Sequence, residues 1–347
     1  MSEDKYLKTT DNKIYWIECI RVFSAFLVVM QHSISGMWTS LSPGTIEWKV
    51  INLAFLLSRS AVPVFFMCSG MGMLAKERTI ESIFKKIFLG LLKPYACAML
   101  VFGLRDAVVL VREGLGSFRT IRNAFLKDII FGQYHTWFIM TLIGLYLITP
   151  LLYEIAKNQK LLNYFVLLSV IFTVVLPLVG RVESLDRLHV TLGTINMRFV
   201  TGYVMYYMLG FWISKVKWEG KYFRIAIAAL FVVSILAAFS ASAMTSIKTG
   251  EASQLAYDEF APLGLMVNVF FLLFFKALIH SENHRKIASK LSGCGMGIYL
   301  MHPLFLGILS FFPGVSCLLG GILVWLTALI IALFIGKAKE TIRANFS

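Results

Sequence analysis

The chain of 347 residues is 58% hydrophobic and only 15% charged, with a mean hydropathy of +0.75. A soluble globular protein averages about 45–50% apolar and roughly 25% charged residues, so that class is excluded, and a β-barrel would show short alternating segments in place of long apolar runs. The net charge of +14 would suggest nucleic acid in a soluble protein; here it marks cytoplasmic loops, and no nucleic-acid partner is expected.

Apolar runs long enough to cross a bilayer core of about 30 Å recur along the whole sequence. They lie near 14–36, 50–75, 87–111, 134–155, 161–180, 197–215, 222–243, 260–280, 291–312 and 316–336. The expected fold is an all-α polytopic membrane protein of about ten transmembrane helices, with tails at 1–13 and 337–347 around a membrane domain at 14–336. The first thirteen residues are polar and no small-residue cleavage site follows the first apolar run, so it reads as a retained span and not as a signal peptide. With the N-terminus inside, Lys and Arg number about twenty in cytoplasmic segments and about ten outside, which favours both termini in the cytoplasm. The connection 112–133 holds half of the outside positive charge. Its Gly114, Gly116, Arg119, Arg122 and Lys127 suggest a short loop or surface helix, or a surface for an anionic partner. The five cysteines fall inside apolar spans without a CxxC pair and read as buried apolar residues.

Ionisable residues inside membrane spans are costly and are functional candidates by default. The first span reads "IECIRVFSAFLVVMQHS" and carries Glu18, Arg21 and His32. Arg21 and His32 are eleven positions apart, which returns them to one helix face roughly 16 Å apart along the axis. Glu18 precedes Arg21 by three and is placed to pair with it. In the second span, "SRSAVPVFFMCSG" embeds Arg59, which needs an acidic partner or an anionic ligand. Pro63 frees a backbone carbonyl there, and Ser69-Gly70 permits close backbone approach.

The third span opens with "FKKIFLGLLKPY". Lys85 and Lys86 read equally as membrane-face anchors or, with Lys93, as a phosphate-holding cluster. In the fourth, Trp137 reads as an interfacial anchor and His135 as a loop residue. The ninth, "SGCGMGIYLMHPLF", places Tyr299 and His302 mid-span, with Gly293, Gly295 and Gly297 permitting close helix contact. No Walker loop, H-E-x-x-H or G-x-S-x-G motif is present, and no metal is expected.

Taken together, R-x10-H in the first span, R-x-x-VP-x-FF-x-x-SG in the second, basic residues opening the third, WF-x-x-x-L-x-x-LYL-x-x-PLL in the fourth and G-IYL-x-HPLF near the end form one ordered set. The set resembles the acyltransferase-3 family of membrane O-acyltransferases, from about Tyr15 to Ile335. The resemblance implies transfer of an acyl group, commonly acetyl, from cytoplasmic acyl-CoA to a hydroxyl of a carbohydrate or other envelope molecule. It implies a bacterial cell membrane as the location, with membrane lipids and a carbohydrate or glycolipid acceptor as partners. By motif, Arg21 and His32 take the paired Arg and His positions, Arg59 and Ser69 fall in the second motif, Trp137 in the fourth, and Tyr299 and His302 in the last. The family often has Asp where Glu18 stands, and arginines where Lys85 and Lys86 stand. No SGNH-type hydrolase segment follows the spans, which matches the short form.

Histidine suits activation of a hydroxyl for attack on a thioester, because its pKa lies near neutrality. His32 is therefore expected as general base, with Arg21 and Glu18 completing the catalytic stripe. Arg59, Lys85, Lys86 and Lys93 are expected at the donor, and Ser69, Trp137, Tyr299 and His302 around the substrate; alternatively, Arg21 and Arg59 bind the donor phosphates or the developing oxyanion. A covalent acyl-histidine stays open beside direct transfer. Two competing readings are a transporter or flippase for an anionic or lipid-linked solute, against which no inverted hydropathy repeat is visible, and a membrane sensor with a vestigial site.

Overall fold

A computed structural model describes residues 15–216, 220–279, 285–309 and 317–345. It is 83% helical, with no strand among the described residues. The expected tail at 1–13 lies outside the described residues.

Helix α1 spans Tyr15–Ser40. A short turn leads to α2, Ile46–Arg59, whose first turn is capped by the Thr45 hydroxyl accepting from the Trp48 amide at 3.2 Å. Helix α3 follows at Ala61–Met73. The carbonyl freed by Pro63 appears as a one-residue interruption of the helix at Ser60, whose backbone stays in the right-handed helical region, and its chemistry is local. Pro63 has no N–H to give the Arg59 carbonyl four residues back, so the ladder is interrupted where Arg59 stands. Trp38 of α1 stacks on Phe55 of α2 at 4.5 Å between ring centroids, fastening the antiparallel pair.

Helix α4, Ile80–Ile87, starts at a Thr79 cap and buries Ile83 and Ile87 on one face. A π-helical turn at Phe88–Leu92 joins it to α5, Lys93–Arg112. The connection near 112–133 forms the surface helix α6, Phe118–Phe131, capped by Ser117. Then come α7 (Trp137–Lys157), α8 (Gln159–Val170), a second π-helical turn (Ile171–Val175), α9 (Leu176–Val179) and α10 (Asp186–Gly193). The chain continues with α11 (Tyr203–Lys215), α12 (Lys221–Thr249), α13 (Pro262–Leu278), α14 (Arg285–Gly293), α15 (Gly295–Leu309) and α16 (Cys317–Asn345).

Among the described residues, six helical stretches are long and apolar enough to cross a membrane: α1, Ile46–Met73, Ile80–Arg112, α7, Gln159–Val179 and α12. The chain is a multi-pass membrane protein. Of the other four expected spans, three correspond to shorter helices, α11 with 13 residues, α13 with 17 and α15 with 15, and the fourth falls on α16, which runs for 29 residues. Helix α11 has a physical reason to be short. Nearly every side chain on it is buried, so protein and not lipid surrounds it.

Helices α3 and α11 cross with their backbones in contact. A Cβ on Gly70 would collide with the Tyr207 carbonyl, and one on Gly210 with the backbone of Met67. The approach expected from Ser69-Gly70 is thus made to α11. The cysteine expectation holds only in part. Cys68 is buried, whereas Cys19 and Cys294 are half-buried and Cys97 is exposed on the outer face of α5.

A buried polar network holds the loop before α13. Asn52 of α2 accepts hydrogen bonds from Trp38 Nε1 and the Tyr257 hydroxyl, each at 2.8 Å, and donates to Ser242 Oγ at 3.3 Å. Ser242 in turn donates to the Ser253 carbonyl at 2.8 Å. Each member is satisfied, so the network rigidifies the loop that carries Asp258 and Glu259.

Candidate active site

Helices α1 and α2–α3 run antiparallel, so positions early in one lie level with positions late in the other. Arg21 is therefore level with Ser69, and His32 with Arg59, the two levels being about 15 Å apart on an α-helical rise. Each level opens into a cavity.

The first cavity, about 200 Å³, is lined by His32, Arg59, His135, Trp137, Tyr203 and Glu259, with Phe138 and Tyr299 on its wall. The second, about 250 Å³, is lined by Arg21, Ser69, Lys86, Gly90, Tyr146 and Gly293, again with Phe138 and Tyr299 on its wall. Phe138 and Tyr299 are the residues common to both linings. Their rings meet edge to face at 5.3 Å and form the partition between the cavities. The Tyr299 hydroxyl donates to the His135 carbonyl, which holds this wall to the turn before α7.

Three imidazoles cluster beside the first cavity; His32 and His135 line it, and His302 lies behind them, off the lining. His32 stacks on His302 at 5.1 Å and meets Tyr134 edge-on at 5.3 Å. His135 lies 5.4 Å from His302. The second and third rings are tied down by backbone. His302 Nδ1 is 2.7 Å from the Tyr299 carbonyl, and His135 Nε2 is 3.3 Å from the Leu300 carbonyl. A carbonyl only accepts, so both nitrogens carry hydrogen. The opposite nitrogens, His302 Nε2 and His135 Nδ1, are buried acceptors with no partner among the described residues. No group of three or more His, Cys, Asp or Glu suited to a metal occurs among the described residues.

Arg59 is placed differently from the expectation that grouped it with the donor lysines. It stands at the break between α2 and α3, in the His32 cavity, in an ion pair with Glu259 and 3.8 Å from Asp258. Tyr203 donates to the other Glu259 oxygen at 2.7 Å, and Trp137 lies against Tyr203 at 5.3 Å. The sequence reading offered an acidic partner or an anionic ligand for Arg59; the partner is acidic and 200 positions away.

In the other cavity, Arg21 donates to the Cys68 carbonyl at 3.2 Å, so its guanidinium crosses to α3. Glu18, one turn earlier, is buried. Lys86 reaches this cavity and lies 5.4 Å over the Tyr146 ring. Lys85 and Lys93 are exposed and do not line it. Ser69 belongs to this cationic cavity and not to the His32 side with Trp137. Gly293 and Gly295 were expected to permit helix contact. A Cβ on either meets nothing within 4 Å, and both line the cavity, so their lack of a side chain leaves room in it. The π-helical turn after α4 contributes Gly90 and Leu91 to the same wall.

Sequence reasoning missed Glu259 and undervalued His135. Glu259 sits in "YDEFAP" at the mouth of a span, where acids are unremarkable. The two-residue spacing of His135 to Trp137 was the signal available for the second.

No curated protein and no solved structure shows significant similarity to the chain. The acyltransferase-3 family model, described as an acyltransferase domain, matches residues 14–336, nearly the whole chain. With the Arg21–His32 stripe lining a cavity at each end of its helix, the chain belongs to the acyltransferase-3 family of membrane acyltransferases.

Proposed function

We propose that this acyltransferase moves an acetyl group from acyl-CoA onto a hydroxyl of an envelope carbohydrate or glycoconjugate, in a bacterial cell membrane with both termini cytoplasmic. The observation that carries this reading is the pair of cavities divided by Phe138 and Tyr299, cationic on one side and histidine-bearing on the other. Arg21 and Lys86 suit the phosphates and amide-rich arm of acyl-CoA. The nucleotide would stay near the cytoplasm while the thioester reached the partition.

In the other cavity, the acceptor hydroxyl would lie against His32. As the oxygen attacks the thioester carbon, His32 takes the hydroxyl proton. The tetrahedral oxyanion collapses, the C–S bond breaks, and the proton passes to the departing thiolate. Free CoA and the O-acyl product result. The small volume beside His32, about 200 Å³ shared between acyl group and acceptor ring, favours acetyl over longer chains. Trp137 and Tyr203 offer aromatic faces, and the Glu259 carboxylate offers acceptor oxygens, both suited to a sugar.

Mass spectrometry of envelope glycans from cells with and without the gene tests this. An additional 42 Da on a glycan (about one acetyl group), present only with the gene and lost with base treatment, is expected on the ester chemistry assumed here. Unchanged glycans in cells that contain the protein would contradict the acceptor class.

A further inference from the structure

We infer that His135 is a substrate-binding residue: its Nδ1 accepts a hydrogen bond from a hydroxyl of the acceptor, so the His32 cavity reads at least two hydroxyls, one that reacts and one that is held. The inference rests on the reading of this cavity as the acceptor site.

Four observations carry it. His135 lines the His32 cavity although only 2% of its surface is exposed. Its Nε2 faces the Leu300 carbonyl at 3.3 Å and must be the N–H, which leaves the lone pair on Nδ1. That Nδ1 is buried and has no partner among the described residues. A buried polar atom without a partner is costly, and a ligand hydroxyl that meets it recovers that cost. Finally, the ring is held in place and does not adapt. The Tyr299 hydroxyl bonds the His135 carbonyl, and the Thr136 hydroxyl bonds the Gln133 carbonyl at 2.8 Å. Gly132 begins this turn with φ +68, where any Cβ would strike Thr136.

The role differs from that of His32. His32 is not tied to a backbone carbonyl through a ring nitrogen in the described contacts and is positioned to exchange a proton. His135 is fixed, and with its N–H on the Leu300 carbonyl its Nδ1 can only accept. A hydroxyl satisfies it; a methyl or a carbonyl oxygen leaves it unpaired. The substrate class is therefore a polyhydroxylated acceptor with a second hydroxyl near the reacting one, and discrimination against the analogue lacking it follows from the buried lone pair.

Two substitutions separate this role from a structural one. His135→Asn places a carboxamide oxygen where Nδ1 stands and gives up the bond to Leu300. His135→Gln places an N–H where Nε2 stands, keeps the bond to Leu300 and gives up the Nδ1 lone pair. The assay is transfer of labelled acetyl from acetyl-CoA, in membranes at matched protein levels, with a titrated extract of host membrane glycoconjugates as acceptor. The expected result is that Asn stays within about threefold of wild type while Gln raises the acceptor KM about tenfold or more, equivalent to about 1.4 kcal/mol, with the KM for acetyl-CoA unchanged in both. Any other order, Gln at or above Asn, overturns the inference. Wild-type protein that transfers no label to any glycoconjugate overturns the acceptor reading itself, and this inference with it.

Discussion

Arg59 and Glu259, 200 positions apart in sequence, meet in an ion pair on the wall of the His32 cavity. The pair is only partly exposed, at 20% and 16% of the two side chains. Removing one partner leaves the other charge poorly solvated. Arg59→Ala and Glu259→Ala should each cost about 2 kcal/mol, and the double replacement by alanine should cost less than the sum of the two. Thermal unfolding in detergent, analysed as a double-mutant cycle, checks this. Additive losses would mean that the two charges act independently.

The contact of α3 with α11 predicts a strict size limit. Gly70→Ala and Gly210→Ala should each destabilise by at least about 1–3 kcal/mol, because the new Cβ meets backbone that does not yield. Gly36→Ala and Gly144→Ala sit on helices with nothing within 4 Å of the new atom, and should be neutral or stabilise by about 0.5–1 kcal/mol. Yields of folded protein after size exclusion, together with Tm, distinguish the two pairs.

Among the lysines, the cavity lining selects one. Lys86→Ala should raise the KM for acyl-CoA about fivefold to tenfold, the effect of losing one charge-assisted contact. Lys85→Ala and Lys93→Ala should leave it within twofold, since neither side chain lines the cavity. Steady-state kinetics with varied acyl-CoA at fixed acceptor decides between them. Equal effects from all three would indicate a diffuse electrostatic contribution.

Filling the cationic cavity from its glycine wall should act on the donor alone. Gly295→Leu is expected to raise the KM for acyl-CoA tenfold or more and to leave the acceptor KM unchanged, because Gly295 lines the Arg21 cavity and not the His32 cavity. Gly295→Ala, which meets nothing within 4 Å, is expected to be tolerated. A rise in the acceptor KM with Gly295→Leu would show that the partition does not separate the two substrates.

Hydropathy and spacing made the helical membrane class legible, and helical periodicity put Arg21 and His32 on one face. Both are local properties of the chain. The break at Ser60 was half legible: Pro63 announced a freed carbonyl, but whether a helix bends or stops depends on what surrounds the gap. Span lengths were less legible. Helix α11 is as apolar as a lipid-facing span, and its 13 residues are short because α3 and other helices enclose it. That Arg59 and Ser69 line different cavities was not legible, for one reason. Depth in an antiparallel pair depends on which end of each helix is level with which, and motif membership carries no such information. Glu259 and His135 were invisible as site residues because their significance lies in contacts with Arg59 and Leu300, each made across more than 160 positions of chain.

Proton transfer from the acceptor hydroxyl to His32 is the step on which the proposed reaction turns. His32→Ala, compared with wild type at equal protein level in membranes, tests it most directly through the initial rate of labelled acetyl transfer from acetyl-CoA. A loss of at least about 100-fold, the scale of a general base, is expected, with normal thermal stability and unchanged acyl-CoA binding. Transfer at the wild-type rate would contradict it.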